Sequence, residues 1–262
     1  MKKIFLSIFL CLSVLSISAQ PQRSNFRQLL SYGGTPINAQ TIIPLLTMNP
    51  QSGLSPEEAQ HYGHHQLLDD MRVLFLPYYR PTLTSDDITF ILAILHSPDV
   101  NHAMRRLQIF SDRNNPERAQ YLTPAFGKIM QGEEPEAVTL KEGVPQEYLD
   151  ACTAYYLAIG QAEQTAQLKN SIGQNTDNAD GARNMNKIID YIIAYSPTVM
   201  ANVAWGKVPI NDFKTITSLY ETKAFQHFKA GNLALSAQSH VIVPKLLEMA
   251  KEWKAKKDLV SE

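Results

Sequence analysis

The sequence predicts an all-α protein of two tandem helical modules (helical bundles) that are internal repeats of each other. The stretch that begins at Leu83 overlays the stretch that begins at Val208 without a gap. Residues of the same kind meet at four positions: Asp87 and Asp212, Ile91 and Ile216, Ser97 and Thr222, His102 and His227. Apolar residues recur at helical spacing between turns that contain glycine or proline, without neighbouring hairpin signals. These patterns predict helices and a duplicated architecture.

Residues 1–19 are predicted to be a secretory signal peptide. Lys2 and Lys3 form a positive start, the segment 4–17 is almost wholly apolar, and Ser18-Ala19 offers small residues for cleavage. The apolar run is shorter than the roughly 20 residues that a membrane-spanning helix needs. We therefore expect an exported protein, periplasmic or secreted, after cleavage near Ala19.

Cysteine usage and charge narrow the functional classes. Cleavage removes Cys11 and leaves Cys152, which has no intramolecular disulfide partner and lies at the apolar helical spacing typical of a buried thiol. The full chain has 24 basic and 25 acidic residues, and no basic stripe precedes its C-terminal tail. This composition lacks the electrostatic footprint of proteins that bind nucleic acid or anionic membranes.

The predicted modules are separated by an acidic linker. We place the first module at residues 20–135, the linker at 136–143 and the second module at 144–258, because the stretch from Gly132 to Gly143 is acidic, contains Pro135 and lacks an apolar period. Within the first module, the polar segment 49–63 is interpreted as a loop that leads into a helix over the apolar run 67–76.

The centre of the first module carries the clearest helix signals. Thr84 and Asp87 have the spacing of a capping box at a helix start. The apolar residues that follow fall at i, i+3, i+4 and i+7 and predict one buried face: Ile88, Ile91, Leu92 and Leu95. Ser97-Pro98 then ends this helix and begins the next.

The order of these signals resembles an exported bacterial family catalogued as domain of unknown function 2059. Its most recognisable stretch is Phe-Tyr-x-Ser/Thr-Pro-x-Gly at the end of the central helix. The first repeat keeps Ser97 and Pro98, and the second keeps Tyr220 and Thr222, while neither keeps the motif's glycine. The resemblance covers nearly all of the mature chain as two degenerate tandem copies. It implies small, exported helical modules and no catalytic residues that carry over.

A histidine cluster is the candidate metal site. His61 and His65 stand four residues apart, so a helix would place both on one face, and Asp69 lies four residues further as a third ligand or as an acceptor for one. The competing interpretation is a solvated helix start, because Gly63 interrupts the cluster and no His-Glu-x-x-His spacing is present.

Other catalytic and cofactor-binding patterns are absent or have simpler explanations. Asp86, Asp87 and Asp212 lie where carboxylates cap helix starts, which competes with a general acid–base role. The sequence lacks a Gly-x-Ser-x-Gly nucleophile elbow, a phosphate-binding loop and a dinucleotide-binding fingerprint. We therefore expect no cofactor.

The aromatic residues have two interpretations. At helical spacing they are typical of a core, but they could also line an apolar groove between the modules, together with Arg80-Pro81 and the segment 202–207. The residues concerned are Tyr78, Tyr79, Tyr155, Tyr156, Tyr191, Tyr195 and Trp205.

The leading functional hypothesis is a non-enzymatic binding or structural module of the cell envelope. We expect its partner to be another envelope protein or an apolar ligand, not nucleic acid. The alternative is a metal-dependent hydrolase with a site around His61, His65 and Asp69. A third hypothesis has the modules forming symmetric oligomers through exposed helix faces.

Overall fold

The computed structural model describes residues 23–32, 37, 39–48, 52–111, 115–175 and 179–260. This part of the chain forms thirteen α-helices and contains no strand, which confirms the all-α prediction. The predicted signal peptide, residues 1–19, lies outside the described residues. In chain order the helices are α1 (Arg23–Ser31), α2 (Ala39–Met48), α3 (Pro56–His65), α4 (Leu67–Tyr79), α5 (Ser85–Leu95), α6 (Pro98–Ser111), α7 (Pro116–Met130), α8 (Gln146–Ala158), α9 (Gln161–Asn175), α10 (Ala179–Ala204), α11 (Ile210–Tyr220), α12 (Lys223–Ala237) and α13 (Ser239–Val260).

The signals predicted around α5 are confirmed. The Thr84 backbone N–H donates to Asp87 Oδ2 at 2.9 Å, and the Asp87 N–H donates to Thr84 Oγ1 at 3.1 Å, which completes the capping box. All four residues of the predicted apolar face are buried. The next helix, α6, begins at Pro98 as expected.

The predicted loop at 49–63 is wrong from Pro56 onward, where α3 begins. Ser55 and Glu58 form a second capping box: the Glu58 N–H donates to Ser55 Oγ at 3.2 Å and the Ser55 N–H donates to Glu58 Oε2 at 2.7 Å. Pro56 occupies the first turn, where its missing N–H costs no helical hydrogen bond. The polar composition of this segment therefore marks a helix start.

The described residues group into two compact units. The first comprises the residues up to Ala93 and those from Lys223 onward, and the second comprises Ile94–Thr222. Each unit contains helices from both predicted modules, and the predicted linker 136–143 falls inside the second unit. The division by contacts therefore does not follow the predicted boundaries.

In the first unit, α1, α3, α12 and α13 pack against α4. Tyr79 at the end of α4 is fully buried, with its ring centroid 5.0 Å from that of Phe26 and 5.7 Å from that of Phe228. Its hydroxyl donates to Asn232 Oδ1 on α12. A buried hydroxyl without such an acceptor would cost free energy, so this contact fixes the tyrosine within the core.

In the second unit, α7, α8 and α9 pack against α10, and α6 and α8 pack against α11. The buried Asn202 on α10 makes two hydrogen bonds to the predicted linker. Its Nδ2 donates to the Thr139 carbonyl at 2.9 Å, and its Oδ1 accepts from the Lys141 N–H at 2.8 Å. Tyr191 Oη donates to the Glu136 carbonyl at 2.8 Å. The acidic linker is thus an ordered strap along α10.

Helix bounds match across the predicted repeat. In the register read from the sequence, α5 and α11 are both 11 residues long and begin and end at equivalent positions. Ile88 and its counterpart Phe213 are both buried, as are Ile91 and Ile216. This agreement supports the duplication, which stays a prediction. Among the described helices, none combines the length and the apolar character that crossing a membrane would require.

Candidate binding site

An apolar groove of about 440 Å³ lies in the second unit, where α10 ends and α11 begins. Its volume falls within the roughly 300–1,000 Å³ typical of ligand pockets. The connection between the two helices supplies one side, and the start of α8 supplies the other. The lining includes Trp205, Val208, Pro209, Ile210, Pro145 and Tyr148.

The α10–α11 connection presents Trp205 at this groove. Gly206, directly after the tryptophan, has a φ of +77°, in the left-handed region that favours glycine. The Lys207 and Val208 N–H groups donate back to the Ala204 carbonyl at 2.9 and 3.0 Å, so the last carbonyl of α10 has hydrogen-bond partners. Pro209 then leads directly into α11. The groove side is therefore set by a tight, hydrogen-bonded turn.

Tyr148 on α8 forms the fixed wall of the groove. It is 2% exposed, and its hydroxyl donates to the Val208 carbonyl at 2.8 Å. Burial raises the pKa of Tyr148 above its ordinary value, so the phenol stays a neutral donor. Its ring meets the Trp205 ring edge-on, with centroids 4.9 Å apart and an interplanar angle of 76°. Trp205 is nevertheless 42% exposed, so much of the indole surface is accessible to a ligand.

The charged residues at this site lie in pairs of opposite sign. Lys207 Nζ lies 2.7 Å from Glu117 Oε1 and 2.5 Å from Oε2. Lys214 Nζ lies 2.7 Å from Glu147 Oε1. Because both pairs combine a cation with a carboxylate, the groove favours apolar contact over attraction of a charged ligand.

The core interpretation is confirmed for Tyr79, Tyr155, Tyr156 and Tyr191, which are all buried. Trp205 instead lines a groove, as the second interpretation expected of it. That groove is formed by residues of the second predicted module, 144–258, and not by residues from both modules. Sequence reasoning did not single out Tyr148 or the two prolines, although a proline before each of two helix starts was a visible signal.

The three predicted metal ligands are not assembled into one site. His61 and His65 share α3, with ring centroids 4.3 Å apart, but the helix ends there and Asp69 lies on α4. Asp69 Oδ1 instead lies 3.0 Å from Arg27 Nε and 3.6 Å from Arg72 Nε. No group of three His, Cys, Asp or Glu side chains in the described part of the chain could hold a metal ion.

The histidine pair lies beside a cationic, aromatic surface. The His61 ring centroid is 5.6 Å from that of Trp253, and Lys257 Nζ lies 5.4 Å from the Trp253 ring centroid. Desolvation and the positive charges of His65, Lys257 and His64 lower the pKa of His61. These surroundings oppose the binding of a further cation.

Two of the three candidate acid–base residues, Asp87 and Asp212, have side-chain partners. Asp87 caps α5 and also approaches His227, whose Nδ1 lies 2.8 Å from its Oδ2. Asp212, at the start of α11, accepts from Arg106 Nε at 2.5 Å and from Arg106 Nη2 at 3.0 Å. His227 thus has a carboxylate partner. Asp86 lies exposed in the first turn of α5.

Comparisons with known proteins leave the family open. No family model matches the chain, and neither a curated protein nor a solved structure does. The resemblance to domain of unknown function 2059 therefore stays a prediction.

Proposed function

We propose that this chain is an exported, non-enzymatic binding module of the cell envelope and that the groove around Trp205 is its ligand site. One observation carries the proposal: a tryptophan that is 42% exposed is held edge-on by a buried tyrosine at an apolar groove. Burial of apolar surface contributes about 25 cal/mol per Å². A ligand that covers this indole would therefore gain binding free energy from the apolar surface that it buries there.

The ligand best matched to this groove is an extended, proline-containing apolar segment of another envelope protein. Polyproline-type segments dock on aromatic-lined grooves because their backbone is already extended and loses little entropy on binding. Trp205 supplies the exposed aromatic surface, the buried Tyr148 holds its ring in place, and Pro145 and Pro209 supply rigid apolar edges. The opposite-charge pairs at the site favour a segment of low net charge.

Export is supported by the signal-like sequence of residues 1–19. Intact-mass measurement of the protein from its own host tests this part of the proposal. We expect a chain that begins at or near Gln20, and a mass that retains residues 1–19 would contradict export through this signal.

A phage-displayed peptide library selected on the mature protein tests the binding site. We expect enriched peptides with proline and large apolar residues, and we expect Trp205→Ala to abolish their binding. Phe90→Ala is the matched control, because Phe90 is a similarly exposed aromatic, 44%, outside the groove lining. Peptides that bind both variants equally, or no enrichment at all, would overturn the assignment of the groove.

A further inference from the structure

The helices of the predicted repeats are distributed crosswise between the two units. In the first repeat the central helix α5 is followed by α6 and α7, and in the second the central helix α11 is followed by α12 and α13. Yet α12 and α13 belong to the unit that contains α1–α4, while α6 and α7 belong to the unit that contains α8–α11. We propose that the two repeats have exchanged their last two helices. This inference rests on the repeat predicted from sequence and is independent of the groove's function.

In both units, the exchanged helices pack against the helix that precedes the central helix. In the first unit α12 and α13 pack against α4, the helix that precedes the central helix α5. In the second unit α6 and α7 pack against α10, the helix that precedes the central helix α11. Each of these preceding helices is therefore packed by the helix pair of the other copy of the repeat, as in a domain-swapped dimer.

Equivalent carboxylates hold the exchanged helices. Asp87 begins α5, and its counterpart Asp212 begins α11. Asp87 pairs with His227 on α12, and Asp212 pairs with Arg106 on α6. In each unit the acid comes from one repeat and the cation comes from the other, so equivalent carboxylates bind the exchanged helix in both units, although their cations lie at different positions of that helix.

Helix α12 also makes close contacts with the end of α4 and the residues that follow it. Tyr79 on α4 donates to Asn232 on α12, and Thr82 Oγ1 donates to the His227 carbonyl at 3.1 Å. In the second unit, α7 and α10 meet through apolar side chains. Ala125 and Ile129 of α7 pack with Ile188 and Tyr191 of α10. In both units, the exchanged helices are therefore held by buried packing together with hydrogen bonds or ion pairs.

The chain passes between the units at corresponding places in the two repeats. The first passage lies at Ala93, near the end of α5, and the second lies at Thr222, just before α12. Only two residues separate α5 from α6, and only two separate α11 from α12. Short hinge connections favour exchange of the following element over its return to its own copy.

Cross-linking across a cleavable linker tests the exchange in the full mature chain. A protease site is inserted between Glu142 and Gly143, both exposed in the linker region, and the variant Asp87→Cys/His227→Cys is treated with a short bismaleimide before cleavage. The native Cys152 does not compete, because burial raises the pKa of its thiol to about 12. We expect a single band of full-length mass on a denaturing gel after cleavage. Two separate fragments would overturn the exchange.

Two further variants make the result independent of one pair. Arg106→Cys/Asp212→Cys must also join the fragments, because its residues lie on opposite sides of the cut and meet within the second unit. Asp87→Cys/His102→Cys is the matched control, because His102 is the residue that would face Asp87 in unexchanged repeats. We expect cleavage of this variant to give two fragments, without a cross-linked peptide that joins positions 87 and 102. Detection of that peptide by mass spectrometry would contradict the proposal.

Discussion

Gly231→Ala is expected to destabilise the protein, although the same change in a helix normally stabilises it. In the interior of α12, alanine would gain about 1 kcal/mol from helix propensity. A Cβ at Gly231 would, however, lie 2.7 Å from Cε1 and 2.9 Å from Cγ of Tyr79, and closer still to Cδ1. The ring has little room to move, because it is fully buried between Phe26 and Phe228 and its hydroxyl is bound to Asn232. Overpacking of this kind typically costs about 1–3 kcal/mol, so after the gain in helix propensity we expect a net loss of up to about 2 kcal/mol.

Urea unfolding followed by circular dichroism measures this effect against a matched control. Gly127 lies within α7, and a Cβ there meets no atom within 4 Å. Gly127→Ala should therefore raise the free energy of unfolding by about 0.5–1 kcal/mol. If Gly231→Ala were stabilising to the same degree, α12 would not lie against Tyr79, and the packing of the first unit described above would be refuted.

Three further predictions concern a carboxylate, the strap and the thiol. Burial alone would raise the pKa of Asp87, but hydrogen bonds from His227 and Thr84 outweigh it and hold this pKa below its ordinary value. The ionised Asp87 carboxylate therefore stabilises the folded protein above about pH 4, and this stabilisation is lost as the pH falls through the lower pKa of the folded state. In chemical denaturation from pH 6 to 2, the wild type should thus lose more stability than Asp87→Asn, and parallel curves would contradict the role of this pair. Asn202→Ala removes two hydrogen bonds to the strap and should cost about 1–3 kcal/mol, with faster hydrogen exchange at the Lys141 amide; unchanged exchange would show that Asn202 does not hold the strap. Cys152 should react with maleimide only on unfolding, and rapid labelling of the native protein would show that it is not buried.

Local sequence signals predicted individual helices well. The capping box at Thr84 and the proline after Ser97 fix α5 and α6, because both signals act within a few residues along the chain. The helix at Pro56 was missed for the opposite reason: its residues are polar, and the apolar period used to recognise helices is weak there.

The division into units was not predictable from these signals. Helical periodicity shows which face of α12 is buried, but it does not show that the face packs on α4, which precedes it by well over a hundred residues. The same limit applies to the ion pairs. The sequence aligned Asp87 with Asp212, yet their cations, His227 and Arg106, come from different positions of the repeat.

The candidate binding site was predicted in part. The sequence left Trp205 either in the core or in an apolar groove between the modules, and it lines a groove formed by the second predicted module alone. The ligands of the alternative metal site are not assembled in the described part of the chain. The edge-on contact with Tyr148 depends on a hydrogen bond to Val208, which lies sixty residues further along the chain. Such a contact follows from the tertiary fold and has no local sequence signature.

The most direct test of the proposed binding site uses the indole N–H signals of the two tryptophans in a nitrogen-labelled sample. The library-selected peptide is titrated into the mature protein, and Trp205→Ala assigns the two resonances. Trp253, which lies against Tyr62 in the first unit, serves as the internal reference. We expect the Trp205 signal to shift in a saturable manner while the Trp253 signal stays in place. A shift confined to Trp253, or none at either indole with a peptide that demonstrably binds, would contradict the groove as the ligand site.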